Sequence, residues 1–312
     1  MTNKFVGLII LDGFGIREEQ LGNAISLANP KNFYHYFNTY PSTLLEASGE
    51  AVGLPDGVMG NSETGHLNIG AGKLVQQKLQ KINSAIKNKT FFENETILKA
   101  FEHTKENNSS LHIMGLLSDG GVHSHINHLI SLIDMVKENN VKNVYLHCFL
   151  DGRDTYQDSG VKYLKQLQDK ISNMENVKIA SLMGRFYAMD REKNWERTEL
   201  AYKTLTLAEA DKYSDNPILA VQESYATGVM DEFVKPNVIS YNNQTYSIKD
   251  NDSVIFFNFR DDRARQITAS FVEDDFNGFE REKLNNVYFC GFSEYDSFKN
   301  LLDRKFMTFK NL

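Results

Sequence analysis

Short, almost continuous apolar segments recur along the chain, and they constrain its fold more than any other feature. They lie at 5–11, 111–117, 144–150, 177–183, 254–259 and 287–292. Such segments are typical of strands that are buried on both faces of a parallel sheet. Stretches at 126–137, 163–171 and 196–210 have apolar residues at three- and four-residue spacing, which predicts helices. The alternation predicts an α/β fold with largely parallel sheets.

Charge and cysteine content limit the partners and the compartment. The 312 residues include 34 Lys and Arg against 41 Asp and Glu, so the formal net charge is −7. This chain has no general basic field for nucleic acid or for an anionic membrane. The segment 5–11 is too short to span a membrane and lacks a signal cleavage site. Cys148 and Cys290 lie in apolar runs, so we expect a cytoplasmic protein without a disulfide framework.

The domain boundary has no linker to mark it, because no Pro-rich or Ser-rich segment and no repeat divides the chain. From 74 to 105 the sequence becomes polar and helical and is rich in Lys and Gln. That composition suits a surface helix that passes from one domain to another. We therefore predict a junction near residue 75, with domains at 1–75 and 76–310.

Polar clusters with glycine or arginine follow most of the apolar runs. They are Asp12-Gly13-Phe14-Gly15, 118–123 (SDGGVH), 151–154 (DGRD), 184–191 (GRFYAMDR) and 260–265 (RDDRAR). In an open parallel sheet the carboxyl ends of the strands meet at one edge, where ligands bind. Each cluster alone could be only a turn. Five in succession favour a site.

Arginines are concentrated in these clusters, although Lys, with 24 residues, is the more common cation. Seven of the ten arginines lie in or just beyond them: Arg153, Arg185, Arg191, Arg197, Arg260, Arg263 and Arg265. The planar guanidinium matches phosphate and carboxylate through two hydrogen bonds. Arg197 and Arg265 could equally cap a helix or face solvent. The other five predict an anion site.

Ser62 lies where the segment 60–70 (GNSETGHLNIG) predicts the start of a helix. A serine there is most often an N-cap, whereas a nucleophile would benefit from the positive helix end. Spacing leaves both roles open. His123 follows a Gly-Gly turn and is a candidate phosphate contact or general acid. The pattern HSHINH at 123–128 is a weak metal triad, because residues at i and i+2 do not share a helical face, and we expect His147 to be a hydrogen-bonded core residue.

Six segments together resemble the cofactor-independent (2,3-bisphosphoglycerate-independent) phosphoglycerate mutases of the alkaline phosphatase superfamily. They are LIILDGFG at 8–15, MGNSETGHLNIGAG at 59–72, SDGGVHSHINHL at 118–129, DGRDT at 151–155, MGRFYAMDR at 183–191 and NFRDDRARQIT at 258–268. They occur in the order that the family has. The resemblance spans residues 8 to about 296.

The resemblance implies an isomerase that interconverts 3-phosphoglycerate and 2-phosphoglycerate through a phosphoserine, with two Mn²⁺ ions. It implies that Ser62 is the nucleophile, that Asp12 and Ser62 are metal ligands, and that Asp154 transfers protons. The implied substrate pocket consists of His123, Arg153, Asp154, Arg185, Arg191, Arg260 and Arg263. Domain 1–75 would then be part of an alkaline-phosphatase-like metal domain, and 76–310 the inserted α/β phosphotransferase domain.

The chain departs from the family in length, because members have roughly five hundred residues. The segments that would bring the other Asp and His metal ligands and a pocket lysine are absent. We expect the inserted domain to fold as a compact unit, a second chain to be needed to complete the metal domain, and the 312 residues alone to lack mutase turnover. The alternatives are another metal-dependent phosphatase or phosphomutase of the superfamily, and a noncatalytic phosphoglycerate-binding remnant.

Overall fold

The computed structural model describes residues 6–295, and the chain falls into two compact units, Met1–Gln80 and Lys81–Leu312. The division between the units lies after Gln80, whereas the sequence predicts a junction near residue 75. The assignment of the units to a metal domain and a phosphotransferase domain stays a prediction.

The described part of the first unit is helical. It contains α1 (Ala24–Ala28), α2 (Lys31–Thr39), a 3-10 turn (Gly49–Val52) and α3 (Ser62–Ala71), and α4 (Lys78–Lys87) begins at its end. The strand predicted at 5–11 is wrong, because residues 6–11 form no strand. Ile9, for example, is 85% exposed. A strand needs a neighbour to take up its backbone hydrogen bonds, and residues 6–80 as described provide no other strand.

The second unit is built on one seven-stranded sheet. Its strands are β1 (Leu111–Leu116), β2 (Val144–Leu150), β3 (Val177–Gly184), β4 (Lys212–Ser214), β5 (Asn237–Ile239), β6 (Ser253–Phe256) and β7 (Tyr288–Gly291). The order across the sheet is β4-β5-β3-β2-β1-β6-β7. The pairs β3–β2, β2–β1, β1–β6 and β6–β7 are parallel, whereas β5 is antiparallel to β3. The predicted α/β class with a largely parallel sheet is confirmed.

Helices cover both faces of this sheet, which is why the parallel strands consist mainly of apolar residues. They are α5 (Glu95–Asn107), α6 (Ile126–Glu138), α7 (Gly160–Ile171), α8 (Arg185–Ala188), α9 (Trp195–Leu207), α10 (Pro217–Ala226) and α11 (Arg265–Val272), with 3-10 turns at Thr90–Glu93 and Asp231–Phe233. On one face Met114, Phe149 and Phe256 pack with residues of α9 and α11. On the other, the Ser253 hydroxyl donates to the carbonyl of Ala100 in α5 at 2.8 Å.

Three predictions about single side chains are confirmed. Cys148 and Cys290 are buried and free, so they form no disulfide. His147 lies in the core, where its Nδ1 is 2.8 Å from the Ser181 hydroxyl and its Nε2 is 2.9 Å from Nδ1 of His112.

Within residues 6–295, no helix is both long enough and apolar enough to cross a membrane.

The carboxyl ends of four adjacent strands bring the polar clusters together. The strands β3, β2, β1 and β6 are neighbours in that order, and all four are parallel. The segments that follow them begin at Arg185, Asp151, Leu117 and Phe257. The chain therefore places four of the predicted clusters at one edge of one sheet, as the rule for open parallel sheets requires.

Candidate functional site: an arginine cluster at the sheet edge

Arg185 is the most deeply buried arginine of this edge. It is the first residue of α8, directly after β3, and is only 2% exposed. Its Nη1 donates to Oδ1 of Asp151 at 2.7 Å and to Oδ2 of Asp154 at 2.6 Å. A buried guanidinium without such partners would be strongly destabilising, so the two carboxylates fix its position.

Asp151 organises the loop after β2. Its Oδ1 also accepts the backbone N–H groups of Arg153 at 3.2 Å and Asp154 at 3.0 Å, and its Oδ2 accepts the Ser118 hydroxyl at 2.7 Å. Burial opposes the ionisation of Asp151, but the hydrogen bonds from Asp154 and Ser118 and the charge of Arg185 outweigh it, so its pKa is lowered. Asp151 is therefore a carboxylate that holds two predicted site residues, Arg153 and Asp154, in place.

His123 lies between two carboxylates and is nevertheless neutral. Its Nε2 is 3.8 Å from Oδ2 of Asp154, and its Nδ1 is 3.6 Å from Oδ1 of Asp262. Burial, followed by the positive charge of Arg185, lowers the pKa of His123 to about 4. At pH 7 the imidazole is thus uncharged and can donate one hydrogen bond. This favours contact with a phosphate oxygen over the general-acid alternative, because a neutral imidazole is a weak acid.

Three further arginines of the predicted site are held by nearby carboxylates. Nη1 of Arg191 lies 2.9 Å from Oδ2 of Asp262, and Nε of Arg260 lies 3.0 Å from Oδ1 of the same side chain. Arg153 pairs with Glu232 at 3.3 Å. All three side chains are at least two-fifths exposed. They are therefore accessible to a ligand, and pairs this exposed are weak enough to be exchanged for one.

Arg263 is the exception, since it makes no ion pair with a carboxylate within residues 6–295. Its Nη1 donates to the carbonyl of Met189 at 3.1 Å. Its pKa is lowered by burial and then by the positive charges of Arg185, Arg191 and Arg153. Four guanidinium groups from three of the clusters thus repel one another, and Arg263 adds a positive charge that has no carboxylate partner in the described chain.

The structure brings together seven of the predicted residues in the second unit. They are His123, Arg153, Asp154, Arg185, Arg191, Arg260 and Arg263. Of the two arginines left open, Arg265 pairs with Asp261 and is partly exposed. Arg197 instead stacks on the ring of Phe186 at 3.8 Å and pairs with Asp190 at 3.1 Å. It therefore neither caps a helix nor simply faces solvent.

Three carboxylates of the cluster were missed by the sequence analysis as site residues. Asp151 and Asp262 stand inside the clusters at 151–154 and 260–265, where each could have been found as a partner for the arginines. Glu232 lies in the 3-10 turn Asp231–Phe233, outside every motif. No sequence signal pointed to it.

Ser62 and Asp12 lie together in the first unit. The Ser62 hydroxyl donates to Oδ2 of Asp12 at 2.7 Å, and its Oγ is 3.3 Å from Nδ1 of His66. Ser62 is the first residue of α3, but the N-cap is Asn61, whose side chain accepts the backbone N–H of Thr64 at 2.9 Å. The reading of Ser62 as an N-cap is therefore wrong, and its exposed hydroxyl is available for another role.

The residues described do not fit a two-metal centre. Within residues 6–295, no group of three or more His, Cys, Asp or Glu side chains is arranged to hold a metal ion. Asp12 and Ser62 are only two ligating side chains, whereas a single catalytic metal usually has three or more protein ligands. His125 and His128 are engaged elsewhere, with the backbone N–H of Asn127 and the side chain of Asn83. We therefore derive no chemical step through a metal.

The largely parallel sheet with guanidinium groups at its carboxyl edge defines an α/β protein with a candidate anion site. Comparisons with known proteins specify the family. A family model described as the BPG-independent PGAM N-terminus matches residues 82–297. This chain belongs to the family of 2,3-bisphosphoglycerate-independent phosphoglycerate mutases.

Relatives support this membership and show how much of them the chain represents. It is 49% identical over 304 residues to the 2,3-bisphosphoglycerate-independent phosphoglycerate mutase of Clostridium perfringens strain SM101, covering 97% of this chain and 59% of the relative. It is 50% identical over 299 residues to that of Listeria monocytogenes strain EGD-e, covering 95% and 58%. The chain thus spans less than two thirds of these curated relatives.

A solved structure has the same fold. It is the phosphoglycerate mutase of Leishmania mexicana at low cobalt concentration, which superposes with a TM-score of 0.72 at 31% sequence identity. The match covers 84% of this chain and 50% of the other.

Proposed function

We propose that this chain holds phosphoglycerate for the interconversion of 3-phosphoglycerate and 2-phosphoglycerate. The single observation that supports the proposal most strongly is the convergence of five guanidinium groups on one sheet edge, with Arg263 lacking a carboxylate partner in the described chain. Phosphoglycerate carries a phosphate and a carboxylate, and guanidinium groups bind both. The other four guanidinium groups already have carboxylate partners, so an anionic ligand would balance the positive charge that Arg263 adds.

In this proposal the groups of the site divide the work. The exposed arginines Arg153, Arg191 and Arg260 exchange their carboxylate partners for the anionic groups of the ligand, and neutral His123 donates to a phosphate oxygen. Asp154 takes and returns the proton of the glycerate hydroxyl, because its Oδ2 lies at the centre of the cluster beside Arg185. Ser62 accepts the phosphoryl group: its Oγ bonds to phosphorus while its proton passes to Asp12 and the bond from phosphorus to one glycerate oxygen breaks. In the return step the other glycerate oxygen bonds to phosphorus, the bond from phosphorus to Oγ breaks, and Ser62 regains its proton from Asp12.

The whole enzyme extends the proposal beyond the described residues. The resemblance implies two Mn²⁺ ions and a cytoplasmic location, and the Leishmania relative was studied with cobalt. Asp12 and Ser62 are too few ligands for two metals, so the proposal includes further ligands from outside residues 6–295, for example from a second chain. Phosphoglycerate binding by the arginine cluster does not depend on that metal.

Calorimetric titration of 3-phosphoglycerate into the purified chain tests the binding step. We expect Arg263→Lys to weaken binding by about tenfold, or 1.4 kcal/mol, because an ammonium keeps the charge but loses the planar pair of donors. Arg265→Lys, two residues away, is the matched control and should bind like the wild type, because Arg265 pairs locally with Asp261. Absence of binding by the wild-type chain, or equal losses in the two variants, would overturn the proposal.

A binding-only role is the second candidate. It is favoured by the lack of a metal-holding group in the part of the chain that the structure describes. The two candidates share the arginine cluster and differ in whether Ser62 becomes phosphorylated. Mass spectrometry of the chain after incubation with 3-phosphoglycerate and Mn²⁺, together with a second chain that supplies the missing ligands, separates them.

A further inference from the structure

The turn that carries Arg191 is held by a buried carboxylate. Asp190 is only 6% exposed. Its Oδ1 accepts the backbone N–H groups of Glu192 and Asn194, both at 3.0 Å, and its Oδ2 accepts the Asn194 side chain at 2.9 Å and Arg197 at 3.1 Å. Burial opposes its ionisation, but the hydrogen bonds from Asn194 and Gln266 outweigh it and lower the pKa. Both carboxylate oxygens of Asp190 therefore hold the turn, and Oδ2 also joins it to α9 through Arg197.

Gln266 holds the same turn from a different element. It lies in α11 and is 7% exposed. Its amide nitrogen donates to Oδ1 of Asp190 at 3.0 Å and to the Thr198 hydroxyl at 2.8 Å, and its amide oxygen accepts the backbone N–H of Lys193 at 2.9 Å. Lys193 has φ of +63°, a left-handed conformation that non-glycine residues rarely adopt. Such a conformation persists only where surrounding contacts impose it.

These contacts join two segments that bear site arginines. Gln266 follows Arg263 by less than one helical turn, and Arg263 itself donates to the carbonyl of Met189, the residue before Asp190. The Arg191 turn and the segment with Arg260 and Arg263 are thus tied at two points. Neither Asp190 nor Gln266 is exposed enough to offer its polar atoms to a ligand.

We propose that Asp190 and Gln266 are positioning residues that fix Arg191 relative to Arg263. The inference rests on the proposed function, because the distance between these two guanidinium groups matters only if one ligand binds both. Anion recognition by two arginines tolerates little displacement, so a loosened turn reduces affinity even though both arginines remain.

Three variants test the proposal against a merely structural role. Gln266→Met keeps the volume of the side chain and removes its hydrogen bonds, and Asp190→Ala removes the carboxylate. Asp252→Ala is the matched control. Asp252 is 4% exposed and accepts the backbone N–H groups of Ser110 at 2.8 Å and Lys249 at 2.7 Å, but it lies at the amino end of β6, away from the arginines.

Calorimetry with 3-phosphoglycerate, at a temperature where all variants are folded, gives the decisive comparison. We expect Gln266→Met and Asp190→Ala to weaken binding by about tenfold or more, and Asp252→Ala to bind like the wild type despite a comparable fall in Tm. Wild-type affinity in Gln266→Met, or an equal loss in Asp252→Ala, would refute the positioning role. Should Asp190→Ala fail to fold, Gln266→Met alone decides.

Hydrogen exchange provides a measurement without a ligand. In Gln266→Met the amides of Glu192, Lys193 and Asn194 should exchange at least about tenfold faster than in the wild type, while those of Ser110 and Lys249 are unchanged. Failure of the wild type to bind 3-phosphoglycerate would count against the proposed function alone. Unchanged exchange in the turn would count against the positioning role alone.

Discussion

At the scale of single residues, burial decides which charges this protein can carry. His128 shows the effect outside the arginine cluster. Its Nε2 is 2.9 Å from Oδ1 of Asn83, and its buried Nδ1 has no hydrogen-bond partner within the described residues. Protonation of Nδ1 would place an unpaired charge in the core, so burial, and then the charge of His125, lower the pKa of His128 to about 3.

The depressed pKa predicts acid sensitivity of the fold. Between pH 6.5 and about 3 the unfolded chain binds a proton at His128 and the folded chain does not, so stability falls as the pH falls. His128→Gln, which can still donate to Asn83, should reduce the loss of unfolding free energy between pH 7 and pH 5 by about 2 kcal/mol. Urea unfolding at both pH values measures the difference. At pH 7, the difference in unfolding free energy between His128→Gln and the wild type measures mainly lost packing. If the unfolding free energy of the variant falls with pH as much as that of the wild type, the prediction is contradicted.

At the scale of elements, the start of α3 separates two roles that the sequence left open. The side chain of Asn61 caps the helix, whereas the Ser62 hydroxyl bonds to Asp12 near the surface. Asn61→Ala should therefore destabilise the helix by about 1 kcal/mol, and Ser62→Ala by less than about 0.5 kcal/mol. Hydrogen exchange of the Thr64 amide, which Asn61 accepts, measures both. A loss in Ser62→Ala as large as that in Asn61→Ala would restore the capping role.

The same scale shows what the sequence could predict. The parallel strands β1, β2 and β3 were found because strands covered on both faces are continuously apolar. The short strands β4 and β5 were missed, since each has only three residues and β4 is largely exposed, so pairing with neighbours rather than burial defines them. The segment 5–11 was predicted wrongly for the complementary reason: an apolar run becomes a strand only beside another strand.

The candidate site also contains some residues that the sequence predicts and others that it does not. The arginines were predictable for two reasons. A guanidinium group suits the binding of phosphate and carboxylate, and residues that directly follow parallel strands lie at the sheet edge where ligands bind. Glu232 and Gln266 were not, because their roles arise from packing between segments that are distant in the sequence. A glutamate in a 3-10 turn or a glutamine on a helix has no distinctive local pattern.

At the scale of the whole molecule, we expect the 312-residue chain to bind 3-phosphoglycerate without converting it to 2-phosphoglycerate. In the proposed function the arginine cluster of the second unit binds phosphoglycerate without a metal. The described residues offer only Asp12 and Ser62 as implied metal ligands and no group that could hold an ion. A phosphoryl transfer that depends on two metals cannot be supported by two ligands. We therefore expect 3-phosphoglycerate to bind the 312-residue chain with the same affinity with and without Mn²⁺.

The corresponding activity measurement is phosphorus NMR of 3-phosphoglycerate incubated with the chain and Mn²⁺, in which we expect no 2-phosphoglycerate. Conversion at a rate typical of enzymes, abolished by a chelator, would show that these residues assemble a metal centre after all. Release of inorganic phosphate from simple phosphate esters, unchanged in Arg260→Ala, would instead favour a phosphatase, because hydrolysis of such esters does not require the arginines to hold a glycerate.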